Sequence, residues 1–168
     1  LKKIPIFTFS KEKYSMNDID PVDLKILKLL EKDGLMTNRQ IAAELNLTTT
    51  PVHERIKKLR REGYINKYTI ELNPKKLNKN LIVFCNVSLK EHAQEYLTQF
   101  ERDVQSVPEV IECYCVSGGS DFLLKVIVAD MEQYKDFILN KLAAISNIGS
   151  AQSHFVITEA KQASIISG

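Results

Sequence analysis

Six cationic side chains, Arg55, Lys57, Lys58, Arg60, Arg61 and Lys67, crowd into one short stretch, and only Glu54 and Glu62 oppose them there. Such a run neutralises phosphates of a nucleic acid and releases their counterions. At its leading end stand Thr48, Thr49, Thr50, His53 and Glu54, short polar groups that hydrogen-bond base edges, while Arg55, Lys57, Lys58 and Arg61 suit phosphates. A plainer reading competes with each. A charged helix face is most often only solubilising, a lone histidine such as His53 is a surface residue first, and Glu54 is well spaced to pair with Lys57 or Lys58 along a helix. The net charge of +2 does not separate these readings, because a basic stripe balanced by an acidic remainder gives the same total.

The elements that would carry these groups are legible upstream. Asp20 followed by Pro21 is a helix N-cap with proline at the first helical position, and Val22, Ile26, Leu29 and Leu30 supply an apolar stripe. This first helix is expected to end near Asp33 and Gly34, with the glycine left-handed. Thr37 and Gln40 have capping-box spacing and open a second, short helix whose buried face is Ile41, Ala42 and Leu45. Asn46 takes the turn, Thr48 caps a third helix with Pro51 in its first turn, and Gly63 closes it. Val52, Ile56 and Leu59 share one face of that helix; Thr50, Glu54, Lys57 and Arg61 project from the other. Two helices joined by a tight turn, the later one polar and basic outside, form the arrangement that inserts a helix into the major groove.

Residues 64–72 alternate well enough to be expected as a strand or a two-stranded wing, and residues 75–80 are the expected hinge. Beyond it the pattern reads strand (81–89), helix, strand (110–116), strand (122–128), helix, strand (151–158). The first helix face is Ala93, Leu97, Phe100, Val104 and Val107, stopped by Pro108; the second is capped by Asp130 and carries Tyr134, Ile138 and Leu142. Residues 117–121, bearing Gly118 and Gly119, make a hairpin connection. The fold class is therefore α+β: an N-terminal winged helix-turn-helix domain followed by a βαββαβ ferredoxin-like domain with two helices on one face of an antiparallel sheet. A second copy of the same sheet is the expected cover for the other face, which predicts an obligate dimer. The domain boundaries expected are 1–15 for an N-terminal extension, 16–66 for the helix-turn-helix domain, 67–80 for wing and hinge, and 81–168 for the ferredoxin-like domain. Met16 is the expected natural first residue, and Ile4, Ile6, Phe7 and Phe9 upstream of it could pack as a short strand.

Composition sets the outer limits. With 44% hydrophobic and 26% charged residues the chain has a globular composition, and it shows neither a bilayer-length apolar run nor a secretory leader, so a cytoplasmic protein without a membrane partner is expected. Cys85, Cys113 and Cys115 are an odd number without metal or redox spacing and are expected to be reduced structural thiols. No metal-spaced cluster, nucleophile–histidine group or phosphate-cradling glycine loop is evident, so no catalytic residue, metal or cofactor is assigned.

From Asp20 to Leu81 the chain resembles the DNA-binding half of the leucine-responsive/asparagine-responsive (Lrp/AsnC, or feast/famine) regulators. The resemblance rests on D-P-V-D-L-K-I-L-K-L-L, then Q-I-A-A-E-L-N-L-T-T-T-P-V-H-E-R-I-K-K-L-R-R-E-G-Y-I, then Y-T-I-E-L-N-P-K-K-L. It continues through V-S-G-G-S-D-F-L-L-K-V, similar to the family's glycine–aspartate turn, and S-H-F-V-I-T-E-A-K, similar to its closing strand. Lys67 and Asn80 stand where members often have glycine, and Thr49 replaces a frequent proline, departures that bear on hinge geometry and half-site sequence.

The resemblance implies a sequence-specific regulator of amino-acid metabolism with a ferredoxin-like (RAM/ACT-like) effector domain. It implies dimers formed through the C-terminal sheets, octamers of four dimers, and an amino-acid effector held between neighbouring dimers. The positions matching that pocket are Gly118, Gly119, Ser120 and Asp121, with Ser150, Gln152 and His154 as weaker candidates. An effector's ammonium would favour the Asp121 carboxylate, and its carboxylate would favour backbone N–H groups that glycines leave open. The simpler alternative is a hairpin turn in which Asp121 is only the side-chain cap. Two rival functions remain open here: an enzyme like the related sirohaem decarboxylases, which has no reason to keep a strongly basic recognition helix, and a pure assembly or ligand-buffering protein.

Overall fold

The computed structural model describes residues 19–161, which form two compact units dividing between Ile70 and Glu71. The expected extension at 1–15 and the upstream strand lie outside the described residues.

The first unit is three helices: α1 (Pro21–Lys32), α2 (Asn38–Glu44) and α3 (Thr49–Arg61). Asp20 caps α1, its carboxylate accepting from the N–H groups of Val22 and Asp23 at 2.8 Å each. The capping box of α2 is formed on both sides, the Thr37 N–H donating to Gln40 Oε1 and the Gln40 N–H to Thr37 Oγ1. Asn46 adopts a φ of 53°, and the bonds from Leu47 N–H to Ala42 O and from Asn46 N–H to Ala43 O close α2 as a Schellman motif. The same motif closes α3 around Gly63, whose φ is +80°. These two closures set where α3 starts and stops. Ile26, Ile41, Ala42, Val52, Ile56 and Leu59 form the buried core between the three helices.

Three local expectations fail. Gly34 is not left-handed; α1 ends instead at an extended Asp33 whose N–H still reaches Leu29 O. Thr48 occupies the cap position of α3, but its side chain makes no capping hydrogen bond. Residues 64–72 form no strand: alternation alone cannot make a ladder without a neighbour to take the N–H and C=O groups, and no described segment pairs with this one. Ile70 and Leu72 are left exposed, and Tyr68 lies under the Arg60 guanidinium at 6.0 Å.

In the second unit the expected hinge contains a 3₁₀ turn, Pro74–Leu77, capped by Asn73 and closed by a left-handed Asn78. The sheet follows: β1 (Leu81–Leu89), α4 (Gln94–Val104), β2 (Val110–Cys115), β3 (Phe122–Val128), α5 (Met131–Asp136) running into a π-helical turn (Phe137–Leu142), and β4 (Ile148–Phe155). The last strand starts earlier than the expected residue 151, because Gly149 passes close to the bulge at Ser88 and Leu89, where a Cβ would sit 3.2 Å from Ser88 O. The strands are antiparallel in the order β2-β3-β1-β4.

Strand alternation divides the sheet. Val83, Cys85, Val87 and Leu89 of β1 and Phe122, Leu124, Val126 and Val128 of β3 point into a core with Phe100, Val104, Tyr134, Phe137 and Leu142 from the helices. The intervening residues, Phe84, Asn86 and Ser88 on β1 and Leu123, Lys125 and Ile127 on β3, are only half-buried, and no helix among the described residues covers them.

Candidate nucleic-acid interface and ligand turn

The basic stretch resolves into two classes of side chain. Thr48, Thr49, Thr50, His53, Glu54, Lys57 and Arg61 are exposed. Arg55 and Lys58 turn back toward α1. Asp23 is completely buried, and Arg55 Nη1 lies 2.6 Å from its Oδ1 while Lys58 Nζ lies 3.5 Å from its Oδ2. Arg55 also bonds the Asp20 carboxylate, and that bond holds Asp20 below the usual carboxylate range. A buried carboxylate requires such partners, since desolvation otherwise disfavours its charge. Arg55 thus spends its guanidinium on two carboxylates of the α1 N-terminus and fastens α3 to α1.

The other flank of α3 is joined to α2, where Asn38 Nδ2 lies 3.0 Å from His53 Nδ1. Lys57 Nζ is 3.6 Å from Glu54 Oε1, and Arg61 Nη2 is 3.6 Å from Glu62 Oε1. These exposed pairs are weak enough to exchange for phosphates. The Glu54–Lys57 pairing anticipated from helix spacing is therefore present. Asp20, Asp23 and Asn38 were not singled out as partners by sequence reasoning, because their contacts span 15 to 35 residues.

In the second unit the turn between β2 and β3 is drawn onto β1. Gly118 has a φ of +129°, in the region that favours glycine, and a Cβ at Gly118 or Gly119 would meet nothing within 4 Å, so the backbone there is open to approach. Asp121 N–H donates to Val87 O at 3.0 Å, and its Oδ2 accepts from Leu89 N–H at 2.8 Å. The Asp121 carboxylate thus ties the turn to the end of β1, while the turn itself is closed by the backbone bond from Val116 N–H to Asp121 O at 2.9 Å. The same Oδ2 lies 3.6 Å from His92 Nε2.

Asn86 ties the remaining candidates together. Its Oδ1 accepts from Ser120 Oγ at 3.4 Å, and its Nδ2 lies 3.2 Å from His154 Nε2. Ser88 Oγ donates to Gly119 O at 3.4 Å. Register places Gln152 opposite Asn86, Ser150 opposite Ser88 and His154 opposite Phe84, so all three β4 candidates share the helix-free face. Asn86, Ser88 and His92 are additions that the sequence did not mark. The only available signal was a polar residue at alternate positions of an otherwise apolar strand.

A three-helix reading head with an exposed basic recognition helix, followed by a ferredoxin-like sheet with a polar turn, defines a DNA-binding transcriptional regulator carrying a ligand-binding domain. A winged helix-turn-helix DNA-binding family model matches residues 19–66, and the Lrp/AsnC ligand binding domain model matches residues 82–166. The chain belongs to the Lrp/AsnC family of transcriptional regulators. It is 37% identical over 145 residues to the leucine-responsive regulatory protein of Escherichia coli K12, covering 86% of this chain and 88% of that one. A crystal structure of a Neisseria meningitidis transcriptional regulator in complex with L-Met superposes with a TM-score of 0.82 at 32% identity, covering 86% of this chain and 93% of that one. An AsnC family transcriptional regulator from Agrobacterium tumefaciens gives 0.81 at 34% identity, covering 86% and 94%. The relatives are regulators, which favours that function over the decarboxylase alternative. Among the described residues, no helix is long and apolar enough to cross a membrane.

Proposed function

We propose that this regulator changes its assembly state in response to a small amino acid held at the β2–β3 turn, and that its recognition helix reads operator half-sites. The contacts of Asn86 and Ser88 carry the reading: Asn86 joins Ser120 of the turn to His154 of β4, and Ser88 holds Gly119, beside an open glycine backbone. An effector carboxylate would take the turn's N–H groups, and its ammonium would lie toward Asp121. Gln152 and Ser150 border the same face and would contact the effector's side chain. The Neisseria relative was solved with L-Met, and the E. coli relative is named for its response to leucine, which supports an amino-acid effector here.

The helix-free face of the sheet would be covered by a second copy, giving a dimer, with four dimers forming the octamer. Each dimer would present two copies of α3 to half-sites on one DNA face, spaced by multiples of about 10 bp. Thr48, Thr49, Thr50, His53 and Glu54 would face base edges, and Lys57 and Arg61 would face phosphates, while Arg55 and Lys58 serve chiefly to hold α3 on α1. The effector would shift the assembly equilibrium, which requires a different affinity for the two oligomeric states.

Thermal-shift screening of the twenty amino acids, paired with native mass measurement, tests the proposal. One or a few amino acids should raise the melting temperature and change the oligomer mass together. A mass distribution unmoved by every amino acid would overturn it.

A further inference from the structure

The contact between Asn38 and His53 constrains chemistry as well as position. Asn38 is the first residue of α2, and His53 lies in the second turn of α3, one turn from both Thr50 and Lys57 on the exposed side. His53 is exposed and Asn38 is half-buried. The amide nitrogen of Asn38 lies 3.0 Å from His53 Nδ1, and it donates there when Nδ1 is unprotonated. A neutral imidazole that accepts at Nδ1 carries its proton on Nε2. The two ring nitrogens face different directions, so the remaining N–H points away from Asn38. An unconstrained surface histidine would sample several rotamers and both tautomers; donation from Asn38 would favour one rotamer and the Nε2–H tautomer.

Base edges in the major groove respond differently to a lone donor. Guanine N7 and O6, adenine N7 and thymine O4 all accept, whereas cytosine presents its N4 amino donor, which repels another donor. We propose that Asn38 and His53 act as one reading unit, the α2 amide fixing the α3 imidazole as an Nε2–H donor that rejects cytosine in favour of acceptor-bearing bases at one position of each half-site. The proposal rests on α3 being the DNA-reading helix and goes further, naming the group recognised and the residue that orients the reader. Asn38 is a positioning residue in this scheme, acting through His53.

The test is selection from a randomised duplex library with the full-length protein, H53A and N38A, alongside the salt dependence of binding. The wild type should disfavour cytosine at a position where H53A loses that preference by on the order of tenfold, with the other positions and the salt slope unchanged. N38A should weaken the same preference and no other. Nitrogen-15 spectra of the imidazole should show the Nε2–H tautomer in the wild type and a mixture in N38A. Unaltered base preferences in H53A, a uniform loss across all sequences with a shallower salt slope, or a wild-type Nδ1–H tautomer would each overturn the reading unit. A wild type that selects no sequence at all fails differently, removing the DNA-reading role of α3 itself.

Discussion

Arg55 and Asp23 join the recognition helix to the first helix through a guanidinium nitrogen 2.6 Å from a carboxylate oxygen that has no exposure to solvent. The pairing turns one of the basic residues of α3 toward α1. Arg55→Ala should leave Asp23 buried with only Lys58 at 3.5 Å, at a cost of about 3 kcal/mol. Lys57→Ala, removing a surface pair, should change stability by less than about 0.5 kcal/mol. Urea unfolding of the full chain, followed by a probe in the first unit, distinguishes the two; equal effects would show that the buried pair does not hold α3.

Acid should loosen the same junction. The Arg55 hydrogen bond lowers the folded-state Asp20 pKa beneath its unfolded value of about 3.9. Its contribution is therefore present above that value and is lost as pH falls through the lower, folded one. Asp20→Asn should flatten the acid limb of the stability profile below about pH 4 while leaving its shape near neutrality unchanged. Thermal midpoints measured across that range provide the check.

Lys57 and Arg61 are exposed, and each lies 3.6 Å from a neighbouring glutamate. If both meet phosphates, the doubly neutralised variant should lose about two units of salt slope per recognition helix, at about 0.9 per phosphate. An unaltered slope would take them out of the phosphate contacts.

Asp121→Ala should abolish the amino-acid-dependent change in assembly size while the dimers still bind DNA. Sedimentation with and without effector reads the first effect, and a gel shift reads the second. Because Asp121 also pins the Leu89 N–H at 2.8 Å, Ser120→Ala is the milder companion and should weaken the response without disturbing the strand end. A full response in Asp121→Ala would count against the pocket.

The three thiols should differ in reactivity. Burial pushes Cys113 up to about 12 and raises Cys85 as well, so both hold little thiolate at pH 8, whereas Cys115 is exposed at the end of β2. Brief iodoacetamide treatment of the native protein should modify Cys115 first, as read by peptide mass spectrometry, and denaturation should make all three equally reactive.

Much of the scaffold was legible because its determinants are local. Asp20 with Pro21, Thr37 with Gln40, the left-handed Asn46 and the closure at Gly63 each work within about one turn of chain, so sequence spacing alone places α1, α2 and α3. The strict alternation of β1 and β3 similarly announces which face is buried. Residues 64–72 show the limit of that logic, since alternation marks a strand's potential but a ladder needs a partner.

By itself, then, the sequence determined the helix-turn-helix, the ferredoxin-like order of elements and the family, because caps, periodicity and turn residues act between near neighbours. Only the tertiary structure decided which cations stay at the surface and which are tied inward. Arg55 and Lys57 look alike in sequence, yet one meets a buried carboxylate from 32 residues away and the other meets solvent. It also decided that Asn86 would bind together Ser120 and His154, contacts across 34 and 68 residues that arise only once the strands pair. The reason is physical: desolvation and hydrogen-bond geometry depend on which distant groups meet, and no local spacing encodes that meeting.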